Sequence, residues 1–349
     1  MPQIAGIDFE VPLVLAPMAG GPSTPELCAA VSSAGGLGFL AGGYLSAERL
    51  AADLSRTAEL TDRPFGVNLF AASPAPDTPE TRARLQAYRT RLVESGHPET
   101  LLPDAPLGTD DSYAQKLEVA ASSPAAAVSF TFGHPSSAEI RDLHAAGKAV
   151  VLYATSEAGI RAAAASGADA VGVQGFQAGG HRASVTGVDI ADADAPDPGL
   201  TAAELTRLAA GLTRKPVLAG GGVATAADVR ALLAAGASAV QVGTRFLTAA
   251  EAGTKKTHRT ALLELRDRET MLTAAFSGRP ARTVANDFAR RHGEAAPRLY
   301  PQLHFLTAGL RGEANAAGDP ENLNLWAGTG FAACREAPAA DILAELAGR

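Results

Sequence analysis

One unit recurs as far as residue 250 and constrains the fold more than any other feature. An alanine-rich helical stretch runs into a small residue and glycine, then into a short β-branched run. The copies are Ser33-Ala34-Gly35-Gly36-Leu37-Gly38-Phe39, Ala145-Ala146-Gly147-Lys148-Ala149-Val150-Val151, Ser166-Gly167-Ala168-Asp169-Ala170-Val171 and Ala235-Gly236-Ala237-Ser238-Ala239-Val240. Glycine suits the left-handed backbone just past a helix end. An apolar run this short suits a strand covered on both faces. Helix, glycine and strand in repetition mean parallel βα units.

The pattern predicts eight strands, at 12–16, 37–42, 65–69, 126–131, 149–154, 170–174, 216–219 and 239–243. Helices are expected at 25–34, 46–59, 112–121, 136–146, 156–166, 201–213, 225–235 and 258–269. Thr225 with Asp228 three residues on reads as a capping box. Eight alternations favour an α/β fold, a (β/α)8 TIM barrel, over a doubly wound sheet. Segments 74–111 (one helical stretch, 79–94) and 270–349 do not fit the repeat. The expected division is a barrel of 1–73 and 112–269, a small helical lobe of 74–111 and 270–315 over one end, and a segment 316–349 that returns to the barrel.

Composition narrows the partners. Apolar residues make up 46% of the 349-residue chain, ample for a large core. Only 5% are aromatic and the formal net charge is −7, which disfavours nucleic acid and anionic membrane as partners. The apolar runs are too short for a membrane span or a signal core. Cys28 and Cys334 lie far apart and in no metal-ligand spacing. A cytoplasmic enzyme acting on a small molecule is expected, with no metal, and with a homodimer left open.

Barrel enzymes work at the C-terminal ends of their strands, and unusual residues collect there. Gly220-Gly221-Gly222 ends the seventh strand and Gly243-Thr244 ends the eighth. Such adjacent glycine turns suit a phosphate, with the helix start near Thr225 adding partial positive charge. Asn68 and Gln174 bring amides that could meet the mixed edge of a pyrimidine-type ring, or merely cap turns. Pro17-Met18 reads either as a rigid wall whose backbone N–H meets a ring nitrogen or as core filling. After the sixth strand, Val173-Gln174-Gly175-Phe176-Gln177-Ala178-Gly179-Gly180-His181-Arg182 carries an imidazole in a glycine-lined turn. His181 is therefore the candidate acid–base group. The other six histidines have ordinary readings, although His134 could line the mouth and His304 could face the site from the lobe.

These motifs resemble the nitronate monooxygenase family, formerly called 2-nitropropane dioxygenases, and most nearly its class I members. The likeness runs through Ala16-Pro17-Met18-Ala19-Gly20-Gly21, Gly66-Val67-Asn68-Leu69-Phe70, Val128-Ser129-Phe130-Thr131-Phe132-Gly133 and Gln174 to Arg182. It continues through Gly220–Gly222, Gln241-Val242-Gly243-Thr244-Arg245-Phe246, Tyr300-Pro301 and Leu325-Trp326-Ala327-Gly328-Thr329-Gly330.

The resemblance implies a noncovalent FMN. Ala16, Pro17 and Met18 would line its ring, and Asn68 and Gln174 would meet its polar edge or ribityl chain. Gly179, Gly220, Gly222, Gln241, Gly243 and Thr244 would face its phosphate region. It implies His181 as the active-site histidine and Tyr300 as a pocket aromatic. The implied reaction is oxidation of alkyl nitronates, propionate 3-nitronate or nitroalkanes among the candidates, by O2 to carbonyl compounds and nitrite through a flavin semiquinone. Some class I members carry a further Tyr and Lys where this chain has His304 and Ala308, which argues against a preference for carboxylated nitronates. The alternatives are an FMN-dependent NAD(P)H reductase, acting on enoyl-acyl carrier protein or quinone, and a flavin-free phosphosugar aldolase or isomerase on the same barrel.

Overall fold

A computed structural model describes residues 3–4, 6–71, 75–103, 109–195 and 197–349. Its centre is an eight-stranded sheet in which every pairing is parallel. The strands are β1 (Leu13–Leu15), β2 (Gly38–Ala41), β3 (Phe65–Phe70), β4 (Ala127–Thr131), β5 (Ala149–Ala154), β6 (Ala170–Gln174), β7 (Val217–Gly220) and β8 (Ala239–Val242). β8 pairs with β1, and a parallel bridge from Val14 to Leu37 joins β1 to the start of β2 and closes the barrel.

Glycine chemistry explains how each helix hands over to its strand. Gly35, Gly147, Gly167 and Gly236 all have φ between 75° and 110°, the left-handed turn their place in the repeat requires. All eight strands lie within a residue of their expected bounds, and Thr225 forms its capping box with Asp228.

The last expected helix is different. It runs Lys256–Glu264 and stops well before 269. Thr270–Thr273 then forms a strand against Ala281–Val284, which pairs on its other side with Gly180–His181. The stretch from 270, expected to be helical, thus opens with an antiparallel sheet whose third strand comes from the loop after β6. Pairing partners remote in sequence override the local helical signal here.

Beyond that sheet, helix Pro79–Glu94 packs on helices Asp287–His292, Gln302–Leu306 and Ala308–Ala317. They share a core of Tyr88, Leu92, Phe276, Phe288, Leu303 and Leu306. Residues 72–74 and 104–108, at the edges of the first inserted segment, lie outside the described residues. Helix Ala339–Ala347 carries Ile342, Leu343 and Leu346 back into the barrel core. No helix among the described residues is long and apolar enough to cross a membrane.

Candidate active site

The C-terminal strand ends surround a cavity of about 260 Å³. Ala16, Pro17, Met18, Asn68, Gln174, Gly179, His181, Gly220, Gly222, Gln241, Gly243, Thr244 and His304 all line it. Tyr300 does not. It is buried one layer behind, with its ring 5.8 Å from that of His181 and its hydroxyl donating to Tyr44 Oη at 3.0 Å. Tyr44 lines the cavity in its place.

The glycine loops form one end. Gly222 has φ 75°, and a Cβ there would come within 3.0 Å of Gln177 Cβ. Gly328 would place a Cβ 2.7 Å from the Gln177 carbonyl, and Gly179 would collide with Ala327 and Gly328. Three loops, after β6, after β7 and at 328–330, therefore meet backbone to backbone. Thr244 Oγ1 ties the third to β8 by accepting the Gly328 N–H at 3.0 Å.

Among the described residues, the N–H groups of Gly222 and Thr244 find no protein acceptor. The helix start near Thr225 was expected to add partial positive charge. There the Asp228 carboxylate accepts from the N–H groups of Ala224 at 3.0 Å and Thr225 at 2.8 Å. That carboxylate offsets part of the positive charge of the helix start, so the glycine-loop amides are the donors nearest the cavity.

Two of the amides have partners within the protein. Gln174 Oε1 accepts from Arg182 Nη1 and the Ala183 N–H, while its Nε2 donates to the His181 carbonyl at 3.1 Å. This side chain pins the His181 strand onto β6 rather than offering a free edge. The Met18 N–H, one of whose two readings was contact with a ring nitrogen, donates to Ser23 Oγ at 2.8 Å. Asn68 Nδ2 donates to Ser129 Oγ at 2.9 Å and Thr131 Oγ1 at 3.0 Å. Gln241 Nε2 donates to Tyr153 Oη at 2.6 Å. The floor of the cavity is thus a layer of interlocked polar side chains inside the barrel.

His181 sits on a strand, not on a free loop. Its Nε2 lies 2.8 Å from Ser277 Oγ, and its ring is walled by Phe132, Tyr300 and Trp326. Desolvation, with Arg279 and Arg311 nearby, pushes its pKa down to about 3, so the imidazole is neutral. The Ser277 hydroxyl has two settings. Donating to the Arg279 carbonyl, 3.2 Å away, it accepts Nε2–H and leaves Nδ1 as a base. Donating to Nε2, it leaves Nδ1–H as a donor.

A family model described as nitronate monooxygenase matches residues 3–348. The chain belongs to the nitronate monooxygenase family. It is 37% identical to the nitronate monooxygenase of Paraburkholderia phytofirmans, covering 98% of this chain and 92% of that one. It is also 37% identical to that of Pseudomonas aeruginosa, covering 97% and 96%. Among solved structures it resembles a nitroalkane oxidase from Streptomyces ansochromogenes, with TM-score 0.89 and 41% identity over 97% of this chain and 95% of that one. FabK from Thermotoga maritima is more distant, with TM-score 0.74 and 27% identity over 97% and 92%.

The site of this nitronate monooxygenase family member also contains residues its sequence did not flag. Tyr44 stacks flat on His304, with centroids 4.1 Å apart and planes 2° apart. The Gly42-Gly43 pair just past β2 was the available signal for it. Phe70 and Phe132 close one side at the ends of β3 and β4. His258, with an unremarkable place at a helix start, lines the cavity and contacts the Trp326 carbonyl at 3.1 Å. Lys255 and Arg311 line it as well, and among the described residues neither pairs with a carboxylate. Burial lowers the pKa of Lys255, and that of Arg311 to about 10. Nothing in the sequence pattern singles out these two cations, because only the lobe's packing turns them inward.

Proposed function

We propose that this protein binds FMN noncovalently and oxidises alkyl nitronates with O2 to carbonyl compounds and nitrite. The reading is carried by one observation: the neutral imidazole of His181, oriented by Ser277, lines the same cavity as the glycine loops.

The residues present fit such a cofactor. The free N–H groups of Gly222 and Thr244, in a cradle of main chain rather than bulky side chains, are the donor set a phosphate takes. Gly179, Gly220, Gly222, Gly243 and Thr244 would hold the phosphate end. Ala16, Pro17, Met18 and Asn68 would hold the ring, and Gln241, expected near the phosphate, sits on the cavity floor bonded to Tyr153. Bound FMN would supply the redox chemistry.

The chain's own residues do the rest. Arg311 and Lys255 give the cavity a cationic field that favours an anionic nitronate over its neutral acid. With Ser277 donating to Nε2, His181 Nδ1–H can hydrogen-bond a nitronate oxygen. With Ser277 accepting, Nδ1 can take the α-proton of a neutral nitroalkane, a role worth about 10²–10⁴ in rate. Phe70, Phe132 and Tyr44 limit water at the reacting end.

His181→Ala should keep its FMN and lose turnover of both nitronate and nitroalkane. Full activity on both would remove His181 from the mechanism. Protein that stays colourless after incubation with FMN would end the cofactor reading. Anaerobic bleaching by NADPH but not by a nitronate would favour a reductase.

A further inference from the structure

We propose that Asp111 is a positioning residue for Tyr44, its carboxylate acting as the acceptor that holds the Tyr44 backbone, and through it for the substrate-facing wall that Tyr44 makes with His304. Tyr44 has φ 66°, a backbone conformation disfavoured for any residue with a side chain. Its N–H donates to Asp111 Oδ1 at 3.0 Å. The other carboxylate oxygen of Asp111 lies 2.7 Å from Lys116 Nζ, whose side chain is 0% exposed.

These groups come from different parts of the chain. Tyr44 follows β2, whereas Lys116 is on helix Tyr113–Ser122, and Asp111 and Ser112 ahead of it are themselves left-handed at φ 58° and 55°. One carboxylate thus anchors a strained backbone amide to a rigid helix. That anchor aims the Tyr44 ring into a stack on His304, an edge contact with Phe70 at 5.3 Å and the hydrogen bond from Tyr300. Neither Asp111 nor Lys116 lines the cavity, and Asp111 reaches it through its hydrogen bond from the Tyr44 N–H.

The kinetic consequence rests on the nitronate reading; the conformational one does not. Two double variants separate the anchor from the ion pair. Asp111→Asn with Lys116→Met removes both charges and keeps an acceptor for the Tyr44 N–H. Asp111→Gly with Lys116→Met removes the same charges and the acceptor, and glycine accepts the left-handed backbone. In the Gly variant, KM for a nitronate should rise about tenfold with kcat within about twofold of the parent, while the Asn variant keeps a near-parental KM.

Amide hydrogen exchange at Tyr44, measured without substrate, should accelerate only in the Gly variant. In a Tyr44→Ala background, changing Asn to Gly at 111 should leave KM unmoved. Equal KM and equal Tyr44 exchange in the two double variants would overturn the proposal, as would a further KM rise in the Tyr44→Ala background. A parent protein that turns over no nitronate would sink the functional reading instead, and the exchange measurement would still decide the anchor.

Discussion

Ser277 Oγ lies 2.8 Å from Nε2 of His181, and this contact governs which ring nitrogen the histidine offers to a ligand. Ser277 is buried in the turn between strands Thr270–Thr273 and Ala281–Val284, and His181 lies on the strand added to that sheet. The histidine and its orienting group are therefore fixed by the same small sheet.

Ser277→Ala removes the orienting group and leaves the glycine cradle intact. Turnover should fall about tenfold or more, with flavin content unchanged. Steady-state rates beside the flavin-to-protein absorbance ratio check this, and a variant with parental kcat would show that the contact does not matter.

Acid should destabilise the fold through its buried histidines. Burial lowers the pKa of His181 to about 3, of His258 and His292 to about 4, and of His304 to about 2, each from 6.5. Below the ordinary value the unfolded chain binds protons that the folded chain refuses. The stability these groups contribute is complete above about pH 6.5 and is lost as pH falls toward the folded values. Tm should drop steadily from about pH 6.5 to about pH 4. By the same shift, kcat/KM should show no acidic limb near pH 6.5 due to His181, and a limb there would mean that the ligand-free imidazole titrates normally.

Gly222→Ala should weaken flavin binding about tenfold or more, since a left-handed backbone and a 3.0 Å contact with Gln177 both resist the new methyl. Gly211→Ala is the control. Gly211 lies in helix Ala202–Leu212 with open space around it, so the change should raise stability by about 0.5–1 kcal/mol and leave flavin binding alone. Flavin fluorescence titration and thermal melts distinguish the two.

Tyr153→Phe leaves the buried Gln241 amide without its 2.6 Å partner in the barrel interior. A loss of about 1–3 kcal/mol is expected, read by denaturant unfolding. An unchanged midpoint would mean that Gln241 finds another acceptor.

Much of the fold was legible because its signals are local. A helix end, a left-handed glycine and a buried run occupy a dozen residues, so Gly35, Gly147, Gly167 and Gly236 announce the barrel without any distant contact. Strand ends follow directly, and with them the cavity positions of Ala16, Asn68, Gln174, Gly220, Gln241 and Gly243. The orientation of the amides was not legible: Gln174 turns to His181 and Gln241 to Tyr153 because of partners on other strands.

The amino-acid order by itself determined the βα repeat, the strand bounds and the glycine turns, since each depends on backbone preferences within one turn or strand. Tertiary structure alone decided the early end of helix Lys256–Glu264, the strand carrying His181, and the inward facing of Tyr44, Lys255 and Arg311. Those features depend on pairing and packing between segments up to some hundreds of residues apart, and no local propensity encodes which distant group a side chain will meet.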